Sequence, residues 1–492
     1  VPEYAKAVVP RGTTTVVIDP HEIGNVMGMD GIRYMLDSSE HTPLNVYMML
    51  PSCVPSTVLE TSGAILDYEA LAKLMGDQRV LGLAEMMNYQ GVISRNPEVM
   101  RKIRLVGTKR IDGHCPKLTG NDLSAYITAG IKSDHECTSP DEAKEKLRQG
   151  MHIMIREGSA AKNLNDLLPL VNSRNARQFL FVSDDRHPGD ILREGHLDFM
   201  IKAAIKMGLD PIVALQIASL NAAQYFGIKD LGAIAPGYRA DIVVLDSFDN
   251  LQVLKVIKEG KLVAENGFLL AKLDKIRTIK GHQIRTREIN LESFEIKADS
   301  TRARVIGIIP DQIITKSQNC EIKSVNGKIV ADAENDILKM AVVERHKATG
   351  NIGLGLVQGL GLKAGSIATS VAHDSHNIAV AGITSKDMLT AMLTIKKMNG
   401  GLVVVKDGDV EASLALPVAG LISEMDIRTV ADSVGICIDA AHDLGSQLRN
   451  PFMTLSFLCL PVVPELKLTD KGLVDVAKSD FVPLLIGEKE KI

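Results

Sequence analysis

Short apolar runs alternate with polar, helix-like segments along the first 185 residues of the chain. The run FLFV at 179–182 is bounded by polar residues and is shorter than most helices, which indicates a buried strand. Elsewhere, Ser139 followed by Pro140 predicts a helix start, because serine caps helices and proline fits their first turn. The pattern predicts strands at 13–19, 44–50, 80–86, 110–114, 130–134, 152–156 and 179–184, and helices that include 67–74, 139–149, 196–207 and 211–226.

Strands that alternate with helices pair in parallel, so residues 1–227 are predicted to form an α/β domain. Seven strands are one fewer than a (β/α)8 TIM-type barrel has, and we expect such a barrel without its first strand. Residues 228–295 are strand-rich with Gly and Pro turns, which predicts a small β-sandwich domain. Residues 296–492 are predicted to form an α+β domain, with helices at 335–346, 385–398 and 426–446 and strands at 401–406 and 411–416.

The composition favours a soluble globular protein over a membrane protein or a nucleic-acid-binding protein. The chain of 492 residues is 45% hydrophobic and 24% charged, which is typical of a soluble globular protein. A net charge of −4 argues against nucleic acid or an anionic membrane as a partner, and no apolar run reaches the length of a transmembrane helix. Six cysteines without a CxxC pair fit a reducing compartment, and the opening VPEYAKAVVPRG lacks the pattern of a secretion signal. We therefore expect a cytoplasmic protein, and the long strand-rich third region indicates a homo-oligomer.

Ionisable side chains follow nearly every predicted strand. In a (β/α)8 barrel the carboxyl ends of all strands meet at one face, and the active site lies there. Residues that are distant in the sequence are therefore expected to converge on that face. These residues are Asp19, His21, Glu85, His114, His135, Arg156, Glu157 and Asp184.

Four of these residues have the chemistry of metal ligands. Imidazole and carboxylate groups bind divalent transition metals, and Glu85, His114, His135 and Asp184 supply both kinds from four strand ends. A single histidine at a strand end is commonly structural, but four such residues in one barrel favour a metal site. A metal lowers the pKa of water to near neutrality, and Asp184 can carry the proton to a leaving group.

Neighbouring residues permit more than one interpretation. Asp185, Arg186 and His187 form either loop ion pairs or contacts with a substrate. Ser159 is a substrate candidate because it follows the strand at 152–156. Cys53, Cys115 and Cys137 flank site residues, and small buried side chains are the ordinary interpretation for them. His373 and His376, in the motif HDSH, are either a second site or structural caps before an apolar strand.

At these residues the sequence resembles the adenine deaminase family of the amidohydrolase superfamily, in its bacterial and archaeal form. The segment APGYRADIVVL at 235–245 is similar to the superfamily in general. The set specific to the deaminases is SCVPST at 52–57, GHCPKLTG at 113–120, SDHECTSPDEA at 133–143 and SDDRHP at 183–188. With other matching stretches, such as SVAHDSHNIAVAGI at 370–383, the resemblance spans most of the chain.

The resemblance implies hydrolytic deamination of adenine to hypoxanthine and ammonia by metal-activated hydroxide, a reaction of purine salvage. It implies a binuclear site of manganese or iron, although zinc shares these ligands. Glu85 would bridge the metals and take part in catalysis, and His114 and His135 would ligate one metal. Asp184 would ligate the other and act as the acid and base, with Asp185 as the alternative. We assign substrate binding to His21, Glu22, Ser159, Asp185, Arg186 and His187.

The sequence departs from the family pattern at one pair of metal ligands. The first barrel strand of the family ends in a His-x-His pair that ligates a metal, and no such pair occurs in the barrel region here. His21 and Glu22 follow the strand at 13–19 and do not replace it. We therefore expect an N-terminally truncated copy. Two alternatives stay open: another amidohydrolase that acts on a cyclic amide, and a catalytically dead barrel.

Overall fold

The computed structural model describes residues 1–40, 42–248, 250–273 and 283–487. These residues form two compact units. The first contains Val1–His21, Met29–Cys53 and Leu66–Arg277, and the second contains Glu22–Gly28, Val54–Ile65 and Thr278–Ile492. The second unit thus includes two short segments from the region 1–227, and the segment predicted as a separate β domain lies largely in the first unit.

The seven strands predicted in the first unit are all present. They are β1 (Thr15–Ile18), β2 (Asn45–Leu50), β3 (Val80–Met86), β4 (Arg110–Gly113), β5 (Ser133–Asp134), β6 (His152–Arg156) and β7 (Phe179–Val182). Strands β1–β4 pair in parallel in chain order, as do β5–β7. A backbone bond of 3.1 Å from Lys132 N to Ile111 O joins the two groups. Gly113 permits this approach, because a Cβ atom there would lie 2.1 Å from Ser133 O.

Helices connect these strands, as the alternating pattern predicts. In the first 227 residues they are α1 (Pro2–Val8), α2 (His21–Met27), α3 (Met29–Ser39), α4 (Tyr68–Ala72), α5 (Tyr89–Ile93), α6 (Pro97–Leu105), α7 (Gly120–Thr128), α8 (Pro140–Arg148), α9 (Leu164–Leu167), α10 (Pro188–Arg193), α11 (Leu197–Lys206), α12 (Pro211–Ala218) and α13 (Leu220–Phe226). The single helix predicted at 211–226 is therefore two helices, which meet at Ser219.

Strand β7 shows why the apolar runs end abruptly at polar residues. Phe179 and Phe181 lie on one side of the strand, in a core that includes Met200 of α11. Leu180 lies on the other side and packs with Tyr225. A parallel strand covered on both faces must be apolar throughout. The sequence can become polar only where the strand ends, and this places ionisable groups at that end.

A four-stranded antiparallel sheet completes the first unit. Its order is β11–β10–β9–β8, formed by β8 (Ile242–Leu245), β9 (Val253–Lys258), β10 (Lys261–Glu265) and β11 (Phe268–Leu269). This is the strand-rich region predicted at 228–295. In the part of this region that the structure describes there is one sheet, so the second layer of the predicted sandwich stays a prediction.

The second unit combines a large mixed sheet with helices, in agreement with the predicted α+β class. Its strands are β12 (Arg302–Ile308), β13 (Thr315–Glu321), β14 (Ser324–Val325), β15 (Lys328–Ile329), β16 (Ile337–Val343), β17 (Ile352–Gln358), β18 (Ser366–Thr369), β19 (Ile378–Gly382), β20 (Gly401–Lys406), β21 (Asp409–Ala415), β22 (Leu466–Thr469), β23 (Gly472–Asp475) and β24 (Asp480–Phe481). The main sheet has the order β13–β12–β17–β16–β19–β18–β20–β21. The helices are α14 (Ser385–Met398), α15 (Ile427–Asp443) and α16 (Pro451–Phe457).

The prediction of a helix at 335–346 is wrong, because this segment contains strand β16. The strand lies in the interior of the eight-stranded sheet and pairs antiparallel with β17 and β19. All of its residues are buried, so the alternation of polar and apolar positions that identifies a half-buried strand is absent. Among the described residues, no helix is long and apolar enough to cross a membrane.

His196 links the start of the first unit to the end of β7. Its ring lies 3.0 Å from Tyr4 Oη, 3.1 Å from Thr13 Oγ1 and 3.2 Å from Ser183 Oγ. Burial lowers the pKa of His196 from 6.5 to about 4, with Arg186 and Arg11 adding to the effect. The folded protein therefore contains a neutral ring that the unfolded chain would protonate below pH 6.5.

We expect this histidine to weaken the fold in acid. Its contribution to stability is complete above pH 6.5 and is lost as the pH falls towards 4, because the unfolded state then binds the extra proton. The difference between the pKa values of the folded and unfolded states lowers the free energy of unfolding by about 3 kcal/mol in acid, at about 1.36 kcal/mol for each unit of pKa difference. Urea unfolding at pH 7 and pH 4 should show a smaller loss for His196→Asn than for the unsubstituted chain. Equal losses in the two proteins would contradict this assignment.

Candidate functional site

Two histidines converge on one glutamate at the carboxyl ends of β3, β4 and β5. Glu85 Oε2 lies 2.7 Å from His114 Nδ1 and 3.1 Å from His135 Nε2, and the centres of the two rings are 5.4 Å apart. Glu85 is the second-last residue of β3, while His114 and His135 directly follow β4 and β5. The ends of three successive strands thus bring together side chains from positions 85 to 135 of the sequence.

The same glutamate also faces the end of β1. His21 Nδ1 lies 3.6 Å from Glu85 Oε1 and 2.9 Å from Asp19 Oδ2. Three groups of ligand atoms in this region are close enough to hold a metal ion, with all atoms of a group within 4.8 Å of one another. The groups are Glu85, His114 and His135; Asp19, His21 and Glu85; and His135, Glu136 and Asp184.

The donor set fits a divalent metal. The atom His114 Nε2 is buried, and no described residue forms a hydrogen bond with it. No described lysine or arginine forms an ion pair with Glu85, so imidazole rings are its charged neighbours. A buried carboxylate between imidazoles is the combination that transition metals select. A metal ion would take the place of the protons that now hold these groups together.

The electrostatics show how strongly these groups interact. Burial acts to raise the pKa of Glu85, but the neighbouring rings of His135 and His114 hold it well below its ordinary value. Burial acts to lower the pKa of His135, but Glu85 and Glu136 hold it well above the ordinary value. The pKa of His114 is raised by the same two carboxylates against the effect of burial. Metal binding at this site should therefore release protons.

Asp184 stands at the end of β7, on the edge of this cluster. Its Oδ2 lies 3.9 Å from His135 Nε2 and accepts a hydrogen bond of 2.6 Å from Arg156 Nη1. Its side chain is 28% exposed, compared with 14% for Glu85 and 4% for His114. Asp184 is thus the acidic group of the cluster that a dissolved molecule can reach most readily. Its φ of 49° is a conformation that aspartate tolerates better than most residues.

Sequence reasoning missed Glu136 and noted Arg156 only as a polar residue at a strand end. Glu136 is 2% exposed and pairs with Arg156 through two hydrogen bonds, of 2.5 Å to Oε1 and 2.7 Å to Oε2. The same guanidinium binds Asp184, so Arg156 bridges the end of β5 to the end of β7. The available signal was the position of Glu136 next to His135, in the motif SDHE.

Replacing Arg156 with methionine is expected to destabilise the protein by about 3–5 kcal/mol, because Glu136 would stay buried without its counter-charge. Urea unfolding measures this loss. Arg101→Met is the control, since it removes an exposed arginine from its ion pair with Glu69 and should cause no measurable change. Similar unfolding curves for the two variants would contradict the importance of the buried pair.

The loop after β7 supplies mostly structural contacts. Arg186 donates to Gly195 O at 3.0 Å, Glu157 O at 2.9 Å and Glu194 Oε2 at 2.6 Å, and its side chain is 2% exposed. These bonds favour the loop ion-pair interpretation over a direct contact with substrate.

The other proposed substrate residues also have contacts within the fold. Ser159 is buried, donates to Asp190 and accepts a bond of 2.8 Å from His187 N. The carbonyl oxygen of Asp185 accepts from Ser159 N at 2.8 Å. Glu22 lies in α2 and belongs to the second unit, so its role stays a prediction.

The three cysteines near the site are buried and free of disulfides. Burial raises the pKa of Cys53 and, with Asp134, raises those of Cys115 and Cys137 well above the ordinary value. Protonated thiols are poor nucleophiles, which supports the interpretation of these residues as buried fillers.

The HDSH motif lies within the second unit. His373 stacks on Phe457 with ring centres 4.6 Å apart, and His376 Nδ1 accepts a bond of 3.2 Å from Ala372 N. Both histidines are buried. These contacts suit a structural role, and a second functional role for the pair stays a prediction.

Known families match most of the chain. Residues 1–263 match the amidohydrolase family, and residues 312–480 match the adenine deaminase C-terminal domain. Adenine deaminase 2 of Carboxydothermus hydrogenoformans is 50% identical over 486 residues, which are 98% of this chain and 85% of that protein. Adenine deaminase of Desulfatibacillum aliphaticivorans is 48% identical over 489 residues, with the same shares of the two chains.

Solved structures show a more distant likeness. The β-aspartyl dipeptidase of Fervidobacterium islandicum AW-1 matches 54% of this chain and 76% of its own, with a TM-score of 0.41 and 16% sequence identity.

Proposed function

This chain belongs to the adenine deaminase family of the amidohydrolases, and from this premise we propose that it hydrolyses adenine to hypoxanthine and ammonia. The relatives named adenine deaminase align with nearly all of the chain, including both family domains. The reaction places the protein among hydrolases of carbon–nitrogen bonds. Purine salvage is the use that this reaction suggests.

The observation that carries the proposal is the position of Glu85 between two imidazole rings at neighbouring strand ends. Glu85, His114 and His135 would hold one divalent metal, and Asp184 with Glu85 would help to hold a second. Manganese or iron is the proposed pair of ions, and zinc suits the same ligands. When bound, such ions supply water with a pKa near neutrality.

The residues of the chain would orient the reactants and move the protons. Water adds to the amino-bearing carbon of adenine as the adjacent ring carbon–nitrogen double bond opens, and the ring nitrogen gains one of the two protons of water. The bond to the amino group then breaks as the carbonyl forms, and the amino nitrogen leaves with the second proton as ammonia. Asp184 would accept a proton from the water oxygen and pass it on, so that one proton reaches the ring nitrogen and the other reaches the departing amino group. The Arg156 guanidinium, 2.6 Å from Asp184 Oδ2, orients that carboxylate and leaves its other oxygen for the proton.

The proposal also covers the fold around the site, the substrate pocket, the oligomeric state and the location of the protein. We propose that the seven parallel strands of the first unit belong to a (β/α)8 barrel, with the site at the carboxyl ends of its strands. His21, Asp185 and His187 would line the substrate pocket. The homo-oligomer and the cytoplasmic location stay predictions.

Ammonia release from adenine, with manganese or ferrous iron supplied, tests the proposed reaction. The assay should compare this chain with a version extended at Val1 by a strand that ends in His-x-His, as the family resemblance suggests. A related adenine deaminase serves as the positive control. Metal-dependent release of ammonia and hypoxanthine by either form supports the proposal. Metal binding without adenine deamination in both forms would reject adenine and favour another substrate, such as a cyclic amide.

A further inference from the structure

A fully buried lysine connects the two loops that carry His114 and His135. Lys146, in α8, has a side-chain exposure of 0%. Its Nζ donates to Cys115 O at 2.7 Å, to Asp134 Oδ2 at 3.1 Å and to Glu142 Oε1 at 2.7 Å. Cys115 directly follows His114, and Asp134 directly precedes His135. The ammonium group of Lys146 therefore bonds to the backbone of the residue after His114 and to the side chain of the residue before His135.

Asp134 also joins the two loops, because its carboxylate accepts hydrogen bonds from both of them. Its carboxylate accepts bonds from Cys115 N at 2.9 Å and from Glu136 N at 3.2 Å, in addition to the bond from Lys146. It also accepts from the thiol of Cys137 at 3.1 Å. The loops after β4 and β5 are thus joined at one carboxylate, and the residues on either side of His135 are both held.

A second metal site at this position is a less suitable interpretation. Asp134, Cys137 and Glu142 are close enough together to hold an ion. The ammonium of Lys146 already bonds to two of these three groups and supplies the positive charge. Burial acts to lower the pKa of Lys146, but Asp134 beside it holds that pKa well above its ordinary value. The lysine is therefore charged and takes the place of a metal.

We propose that the Lys146–Asp134 pair positions His114 and His135 for metal binding. The inference rests on the metal site of the proposed function. Neither residue of the pair contacts a substrate or a reacting atom, and both act by fixing the backbone of the loops that present the imidazoles. Residues that orient metal ligands in this way commonly change metal affinity when they are replaced.

The test compares Mn²⁺ affinity, measured by titration calorimetry without substrate, in the unsubstituted chain and in Lys146→Met. Affinity should fall about 10- to 100-fold, as is typical for residues that orient ligands. Lys467→Met is the matched control, because Lys467 is equally buried in the second unit and, among the described residues, donates only to the carbonyls of Ile313 and Phe457. That variant should keep the affinity of the unsubstituted chain.

A double variant distinguishes the positioning of the histidines from the loss of a buried counter-charge. Asp134→Asn combined with Lys146→Met removes both charges of the pair and leaves only Glu142 without its ammonium partner. The double variant should therefore recover part of the thermal stability that Lys146→Met loses, while Mn²⁺ affinity stays at least about 10-fold low. Recovery of full affinity in the double variant, or full affinity in Lys146→Met alone, would overturn the proposal.

Amide hydrogen exchange supplies a readout that needs no metal. Exchange at Cys115 and Glu136, whose amides bond to Asp134, should become faster in Lys146→Met and should not change in Lys467→Met. If the unsubstituted chain binds Mn²⁺ but does not deaminate adenine, the proposed function fails and the affinities still decide this inference. If it does not bind Mn²⁺, unchanged exchange in Lys146→Met rejects the positioning role, and faster exchange supports it.

Discussion

Replacing Asp184 with asparagine is expected to lower kcat for adenine deamination by about 10²- to 10⁴-fold, because the amide cannot accept and return the proton. Asparagine keeps the shape of the side chain and can still accept a bond from Arg156, so the fold should persist. The measurement is initial ammonia release in whichever form of the protein is active in the assay described above. Mn²⁺ affinity, measured in parallel, reports how far the variant also weakens metal binding.

Asp185→Asn is the control for this prediction. Asp185 is the adjacent carboxylate and the alternative candidate for the same role. If Asp184 is the acid and base, Asp185→Asn should change kcat far less than Asp184→Asn does. A reversed order of the two effects would assign the role to Asp185 and would remove the proton-transfer step proposed for Asp184.

Replacing Glu85 with glutamine is expected to abolish both metal binding and activity. The substitution removes the charge at 2.7 Å from His114 Nδ1 and 3.1 Å from His135 Nε2. We expect Mn²⁺ affinity to fall by more than the roughly 10- to 100-fold that is typical when only an orienting residue is lost. Calorimetric titration with Mn²⁺ and the metal content of the purified variant measure this effect, and ammonia release should fall with it.

Glu157→Gln provides the matched control for the glutamate. Glu157 also follows a strand of the first unit and is buried, but its carboxylate accepts from Leu164 N at 3.3 Å and lies 3.9 Å from Lys162 Nζ. This variant should retain metal affinity. If Glu85→Gln also bound Mn²⁺ with unchanged affinity, the metal site would have to be placed elsewhere in the protein.

The strands of the first unit could be predicted because their burial leaves a local signal. Strand β7 is covered on both faces, so its four residues are apolar and the next residues are polar. The same argument placed Glu85, His114 and His135 at strand ends. It also explains the wrong prediction at β16, because a buried apolar run without alternation fits a helix as well as a strand. A short apolar run has the same appearance in a buried helix and in a buried strand, and only its neighbours in the sheet decide between them.

The sequence by itself indicated Glu85, His114, His135 and Asp184 as candidate metal ligands, since the strand pattern and the residue types required no knowledge of distances. The tertiary structure alone decided which partners surround them. The bonds from Arg156 to both Glu136 and Asp184, and from Lys146 to both Asp134 and Cys115, join segments that local patterns treat as independent. The same holds for Arg186, which the sequence left between a substrate contact and a loop contact, and whose bonds favour the loop. Hydrogen bonds and ion pairs depend on distances of about 3 Å between side chains, and the folding of distant segments onto one another sets those distances.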